Sequence, residues 1–206
     1  MLKLYYCPGT ISIAVAITLE EAGLPYEAIK VDFKAAEQTR PDYLAINPKG
    51  RVPALVLDDG TVLTETGALL EYIAARAPAA DLVPHLPEDT AHMRGAMYYL
   101  ASTMHVAHAH KMRGSRWANN QTSFDDMTAK VPETMAASAA YVAAEVLRGP
   151  YVVKEQFTLA DPYLFVVCNW LKGDGVDPDA YPKIATFLDH METRASVKAI
   201  REKGML

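Results

Sequence analysis

Six residues near the start, Cys7-Pro8-Gly9-Thr10-Ile11-Ser12, place a thiol and two hydroxyls directly ahead of an apolar helical pattern. A thiol attacks as its thiolate, and a nearby helix N-terminus or cation lets that form exist at neutral pH. Here Pro8-Gly9 separates Cys7 from the helix, which leaves the thiol at a strand end with little access to the dipole. A buried, inert thiol is expected. Thr10 and Ser12 stand at the helix start, where a hydroxyl either caps backbone N–H groups or donates to a bound anion.

A second group lies in MHVAHAHKMRGSRW, residues 104 to 117, which gathers His105, His108, His110, Lys111, Arg113 and Arg116. His105 and His108 are three apart and share a helix face. Two histidines without a nearby carboxylate or cysteine make an incomplete ligand set, so no metal is expected. If His108, Lys111 and Arg113 line a cleft, their charge favours an acidic or carbonyl-bearing ligand. Trp170 could add an aromatic wall. Glu65-Thr66 forms a third group: it opens a helix straight after a hairpin, where backbone N–H groups and the positive dipole end suit an anion.

The elements that position these groups follow from periodicity. Residues 2–6 read as a strand, ISIAVAITLEEAG as a buried helix stopped by Gly23, and YEAIKVDF as a second strand. PALVLDDGTVLTE gives two short strands around Asp59-Gly60. From Glu65 onward the pattern is helical, with further helices expected near 88–113, 124–147, 159–172 and 181–203, and Met135, Val142 and Val146 on one buried stripe. The proline-rich stretch divides the chain into residues 1–78, a linker at 79–87 and an all-helical part at 88–206. Thr158 and Asp161 have the spacing of a capping box, a structural role.

With 206 residues, half of them hydrophobic, the chain can build a sizeable core. A net charge of −5 argues against nucleic acid or an anionic membrane as partner. Cys7 and Cys168 are the two cysteines, a count typical of a reducing compartment, and neither a leader nor an apolar span is apparent. A cytoplasmic protein is expected.

NPKGRVPALV, residues 47 to 56, sets Val52-Pro53 just before a strand. A cis bond there would leave the Val52 backbone free to pair with an extended peptide, whereas a trans proline would merely start the strand. The wider context decides between them. INPKGRVPAL, LTETGALLEYIA and FTLADPYLF, in this order and spacing, resemble motifs of the cytosolic glutathione transferases over essentially the whole chain, and KLYYCPG with AINPKG is similar to the bacterial beta-like members.

The resemblance implies an α/β thioredoxin-like domain that binds glutathione, followed by an all-α domain that holds an electrophile. It also implies a homodimer with a role in detoxification, glutathione as co-substrate and no metal. Val52, with Pro53, would pair with the cysteinyl part of glutathione; Glu65 and Thr66 would grip the γ-glutamyl amine and carboxylate; Lys34 and Arg51 would meet the glycine carboxylate. The beta-like cysteine is missing, because Ile11 stands in its place. Thr10, five residues after Tyr5, matches the serine of theta-like and zeta-like members, and Ser12 is the other hydroxyl that could serve. His105 matches a histidine that faces the sulfur in beta-like members. Thiolate formation from a thiol of pKa near 8.5 needs about 2.7 kcal/mol at neutral pH. One charge-assisted hydrogen bond at ~1.5–3 kcal/mol and a helix N-terminus at ~0.3–1 kcal/mol nearly supply it. The rival readings are a thiol-disulfide oxidoreductase using Cys7 and a glutathione-binding protein with little catalysis.

Overall fold

The alternation in LKLYY becomes strand β1, Leu2–Tyr6, with Leu2, Leu4 and Tyr6 buried and Lys3 exposed between them. The structure is a computed structural model and describes residues 1–206. Helix α1 follows at Ser12–Glu21; every residue from Ser12 to Leu19 is buried, as in a helix enclosed on all sides. Gly23 stops it with φ +62°, and the Leu24 N–H donates to the Leu19 carbonyl across this left-handed turn.

Strand β2, Tyr26–Lys30, pairs parallel with β1 and ends earlier than the expected run to Phe33. Asp32 is the reason: its Oδ1 accepts the N–H groups of Lys34 at 2.8 Å and Ala35 at 3.2 Å, which favours a turn over an extended chain. After the short helix α2, Pro41–Leu44, strands β3, Ala54–Val56, and β4, Val62–Thr64, form the expected hairpin. Its turn uses Gly60 at φ +86°, with the Thr61 N–H donating to Asp59 Oδ1. The sheet order is β2-β1-β3-β4, and helix α3, Thr66–Arg76, packs its buried Leu69, Leu70 and Ile73 toward α1. This is the thioredoxin-like α/β arrangement.

The remainder is helical. Helix α4, Pro87–Tyr99, and α5, His105–Arg113, run on from one another through a wider π-turn at Leu100–Met104. Helix α6, Gln121–Tyr141, likewise ends in a π-turn at Val142–Val146, and Met135, Val142 and Val146 are all buried on the expected stripe. Helix α7, Ala160–Asn169, is buried from Ala160 through Cys168 and forms the centre of this half. The expected helix over 181–203 is two helices, α8 at Pro182–Thr193 and α9 at Ala195–Glu202, because Arg194 between them is extended. No helix is long and apolar enough to cross a membrane.

Contacts divide the chain into two compact units, one of Met1–Val83 with Glu192–Leu206, the other of Pro84–Met191. Residues 192–206, which the expected division placed with the helical part, cluster with the α/β unit. Arg194 forks onto Glu21, with Nε and Nη2 each 2.7 Å from a carboxylate oxygen. Ser196 donates to the same carboxylate, Lys203 pairs with Glu20, and Val197 and Ile200 are fully buried. A two-pronged guanidinium–carboxylate contact with little solvent exposure fixes orientation as well as position.

Candidate functional site

The loop between β1 and α1 is tied to itself through Cys7. The Cys7 N–H donates to Ser12 Oγ at 3.2 Å. Its carbonyl accepts the Thr10 N–H at 3.2 Å and the Thr10 hydroxyl at 2.8 Å. The two hydroxyls lie 2.7 Å apart, and Ser12 Oγ is also 3.3 Å from the Cys7 carbonyl. Ser12 is fully buried and Thr10 only partly. Neither hydroxyl caps α1; its first turn is closed by backbone bonds instead, the Ile13 N–H donating to the Thr10 carbonyl at 3.0 Å and the Ala14 N–H to the Ile11 carbonyl at 3.1 Å. Cys7 is half-buried rather than buried as expected, and packs beside Val31, Tyr43 and Val52. Cys168 is fully buried, and burial pushes its thiol well above the usual range.

The bond Val52-Pro53 is cis. Val52 itself is largely buried and precedes the ladder, which begins at Ala54. The segment before it is fixed by two residues that sequence reasoning passed over: the Tyr43 hydroxyl and Asn47 Nδ2 each donate to the Arg51 carbonyl at 2.6 Å. Asn47 is 1% exposed, so this is an internal clamp. Burial, partly countered by Asn47, pushes the Tyr43 phenol up to about 12. The INPKG wording that carried the resemblance thus holds a physical task, since the Asn47 side chain sets the backbone that leads into Val52.

Glu65 stands directly before α3 with φ +73° and ψ +117°, a conformation that L-residues with a Cβ rarely adopt. Its carbonyl accepts the Leu69 N–H while its side chain projects into solvent, and Thr66 behind it is buried. Lys49, not singled out from the sequence, lies with Nζ 2.5 Å from Glu65 Oε1 and 2.9 Å from Thr64 Oγ1. Lys34 and Arg51 are exposed. The Lys34 backbone N–H serves the Asp32 turn and the Arg51 carbonyl serves the Tyr43–Asn47 clamp.

In the helical unit His105 and His108 do share a face, and both meet Trp170. Their ring centroids lie 4.9 Å and 4.2 Å from it, with His108 stacked at 21°. His108 Nδ1 is 2.6 Å from Oδ2 of Asp174, a carboxylate 1% exposed. Lys111 Nζ lies 3.5 Å from the other oxygen and donates to the Gly173 carbonyl. An ionised carboxylate only accepts, so Nδ1 of His108 carries the proton of that bond. His108 and Lys111, expected to offer positive charge to an acidic ligand, both engage Asp174. Asp174 sits in a turn that the sequence marked only as a helix break. Arg113 is half-exposed at the end of α5. A concavity of about 430 Å³ in this unit, lined by Tyr99, Thr103, Val106, His110 and Thr134 among others, includes none of His105, His108, Lys111 or Arg113. No three His, Cys, Asp or Glu side chains are grouped as metal ligands would be.

Comparison with known proteins places these features in a family. Residues 1–75 match the profile "Glutathione S-transferase, N-terminal domain" and residues 108–204 the profile "Glutathione S-transferase, C-terminal domain". Glutathione S-transferase GstA of Escherichia coli O157:H7 is 30% identical over 99% of this chain and 100% of its own. A maleylacetoacetate isomerase of Pseudomonas aeruginosa is 29% identical over 91% of this chain and 90% of its own. Among solved structures, a glutathione transferase homolog from Sulfitobacter with bound glutathione is 71% identical, with a TM-score of 0.99 over 100% of this chain and 99% of that one. BphK, a bacterial glutathione transferase solved as a ternary complex, is 32% identical with a TM-score of 0.85 over 98% and 99%. With the thioredoxin-like unit, the helical remainder and both family domains in order, this chain belongs to the glutathione S-transferase family.

Proposed function

We propose that this protein binds glutathione, holds its sulfur as the thiolate through the Thr10 hydroxyl, and joins that sulfur to an electrophilic small molecule. The observation that carries the reading is the hydroxyl pair at the start of α1: Thr10 is partly exposed, and the buried Ser12 stands 2.7 Å behind it. Ser12 donates to Thr10 while accepting the Cys7 N–H, which frees the Thr10 proton to turn from the Cys7 carbonyl to a thiolate. A chain of donors of this kind strengthens its last bond. The thiol proton leaves to solvent, the sulfur lone pair forms the new S–C bond, and the displaced electron pair departs with the leaving group or settles on the acceptor atom of an addition. Glutathione is held by the Val52 backbone next to Pro53, by Glu65 at its amine and by Thr66 with the α3 N-terminus at its carboxylate; Lys34 and Arg51 serve the glycine end. By the family resemblance, His105 is assigned to the sulfur and, by its charge, Arg113 to the electrophile. The active form is a cytoplasmic homodimer with a detoxifying role.

The similarity to a maleylacetoacetate isomerase supports a second reading, in which the thiolate adds reversibly to a conjugated double bond and is released after rotation. Glutathione consumption over a panel of halides, epoxides, peroxides and conjugated enones tests both. Loss of free thiol with conjugate formation supports transfer, and conversion with glutathione returned intact supports isomerisation. Binding without turnover of any member would overturn the enzymatic reading.

A further inference from the structure

We infer that Met205 is a positioning residue for Thr10: its backbone carbonyl fixes Gly9, and through Gly9 the direction of the Thr10 hydroxyl. The inference rests on the reading of Thr10 above. The Gly9 N–H donates to the Met205 carbonyl at 3.0 Å. Gly9 adopts φ +67° with no atom within 4 Å of where a Cβ would stand, so glycine is required there by the backbone angle and not by lack of room. Thr10 follows immediately and sends both its N–H and its hydroxyl to Cys7. Ser12 holds Cys7 on one side of Thr10, and Met205 holds Gly9 on the other.

The Met205 carbonyl is itself aimed by a helix ending. Gly204, at φ +65°, terminates α9; its N–H donates to the Arg201 carbonyl at 2.9 Å, and the Met205 N–H to the Ile200 carbonyl at 3.1 Å. This is the Schellman arrangement, and Met205 and Ile200, 2% and 0% exposed, supply the apolar contact that accompanies it. The other end of α9 is anchored where Arg194 and Ser196 meet Glu21, at the last turn of α1. Helix α9 therefore braces α1 at both ends: by side-chain charge at Glu21, and by a backbone bond just ahead of Ser12. The groups proposed to hold the rest of glutathione, Val52, Glu65 and Thr66, lie outside this brace. Its loss should reduce thiolate formation and kcat while leaving the KM for glutathione in place.

Three variants of the full chain test this: deletion of Met205-Leu206, Gly204→Val, which a β-branched side chain makes incompatible with positive φ, and Met205→Leu, which keeps the carbonyl and the apolar contact. In the first two, amide hydrogen exchange at Gly9 and Thr10 should quicken at least tenfold, with the interior of α1 and all of α3 unchanged. Ultraviolet titration of bound glutathione should show the thiol pKa raised by about one unit, a tenfold loss of thiolate at fixed pH. Met205→Leu should behave as the parent protein. Unchanged exchange at Gly9, an unmoved thiol pKa despite faster exchange, or acceleration throughout α1 would each overturn the inference. If the parent protein itself does not ionise bound glutathione, the proposed function fails and this role for Met205 fails with it.

Discussion

Thr10 Oγ1 and Ser12 Oγ stand 2.7 Å apart, and of the two only Thr10 reaches the surface. That asymmetry assigns them different tasks, one toward a ligand and one toward the loop. Replacing Thr10 by Val keeps the shape and removes the donor. The expected result is a roughly 10- to 150-fold fall in kcat/KM, corresponding to a lost charge-assisted bond of ~1.5–3 kcal/mol. Thr10→Ser should recover most of it. Ser12→Ala should lower Tm as well as rate, since the Cys7 N–H loses its acceptor. Steady-state kinetics with thermal melts separate the two patterns, and an unaffected Thr10→Val enzyme would remove Thr10 from the mechanism.

Glu65 holds a left-handed backbone while pointing its carboxylate into water beside Lys49. Strain kept at an exposed charged residue points to a use for that residue. Glu65→Gly should therefore stabilise the fold by about 0.5–1 kcal/mol, because glycine accepts φ +73° without penalty. The same change should abolish retention on immobilised glutathione. Denaturant unfolding and a column assay on one preparation check both halves; a destabilised variant that still binds would contradict both.

Much of this was legible in the chain. The strand alternation of LKLYY, the Asp59-Gly60 hairpin and the Gly23 stop depend on neighbours in sequence, and local physics decides them. The hydroxyl pair at Thr10 and Ser12 was visible for the same reason. What stayed hidden was long-range pairing. Lys49 meets Glu65 from 16 residues away, Asp174 meets His108 from 66, and Arg194 meets Glu21 from 173. Periodicity carries no information about such partners. Glu65 as a backbone outlier was equally invisible, because nothing about a glutamate announces positive φ.

Tyr43 donates to the Arg51 carbonyl, and burial raises its phenol from 10.0 to about 12. In the unfolded chain it ionises near pH 10, whereas in the fold it keeps its proton for about two further units. Its contribution is thus fully present below pH 10 and is lost as pH climbs toward 12, by up to about 2.7 kcal/mol. Tyr43→Phe lacks this alkaline loss but forfeits about 1 kcal/mol of hydrogen bonding at neutral pH. Urea unfolding between pH 8 and roughly 11.5 should show the variant less stable at first and the two curves crossing above pH 10. Parallel curves would mean that Tyr43 is not the titrating group.

His108 and Asp174 form a partly buried pair with Lys111 as third member. Removing the imidazole leaves a 1%-exposed carboxylate facing the Lys111 ammonium at 3.5 Å without its 2.6 Å partner, so His108→Ala should cost about 3 kcal/mol of stability. Asp174→Asn alone should also destabilise. The double variant should be milder than the sum of the two, by at least ~1 kcal/mol, because the orphaned charge is gone. Strict additivity in a denaturant cycle would show that the pair is uncoupled.

Asp161 shows how a correctly read motif can still be undervalued. Its spacing from Thr158 suggested a capping box, whose loss costs about 1 kcal/mol or more. In the fold its carboxylate is fully buried and accepts the Thr158 N–H at 2.7 Å, the Thr158 hydroxyl at 3.0 Å and the Val152 N–H at 2.8 Å. The Thr158 hydroxyl turns to the carboxylate instead of capping α7, so the box is one-sided and Asp161 is its hub. Truncation would strand two buried backbone donors, each costing ~1–3 kcal/mol. Asp161→Ala should therefore lose about 2–5 kcal/mol, enough to leave little folded protein at 37 °C if the parent is marginally stable. Thr158→Val, which spares both backbone bonds, should lose about 1 kcal/mol. Chemical unfolding of the pair of variants measures the difference. Equal losses would place the weight on the hydroxyl and return the motif to an ordinary cap.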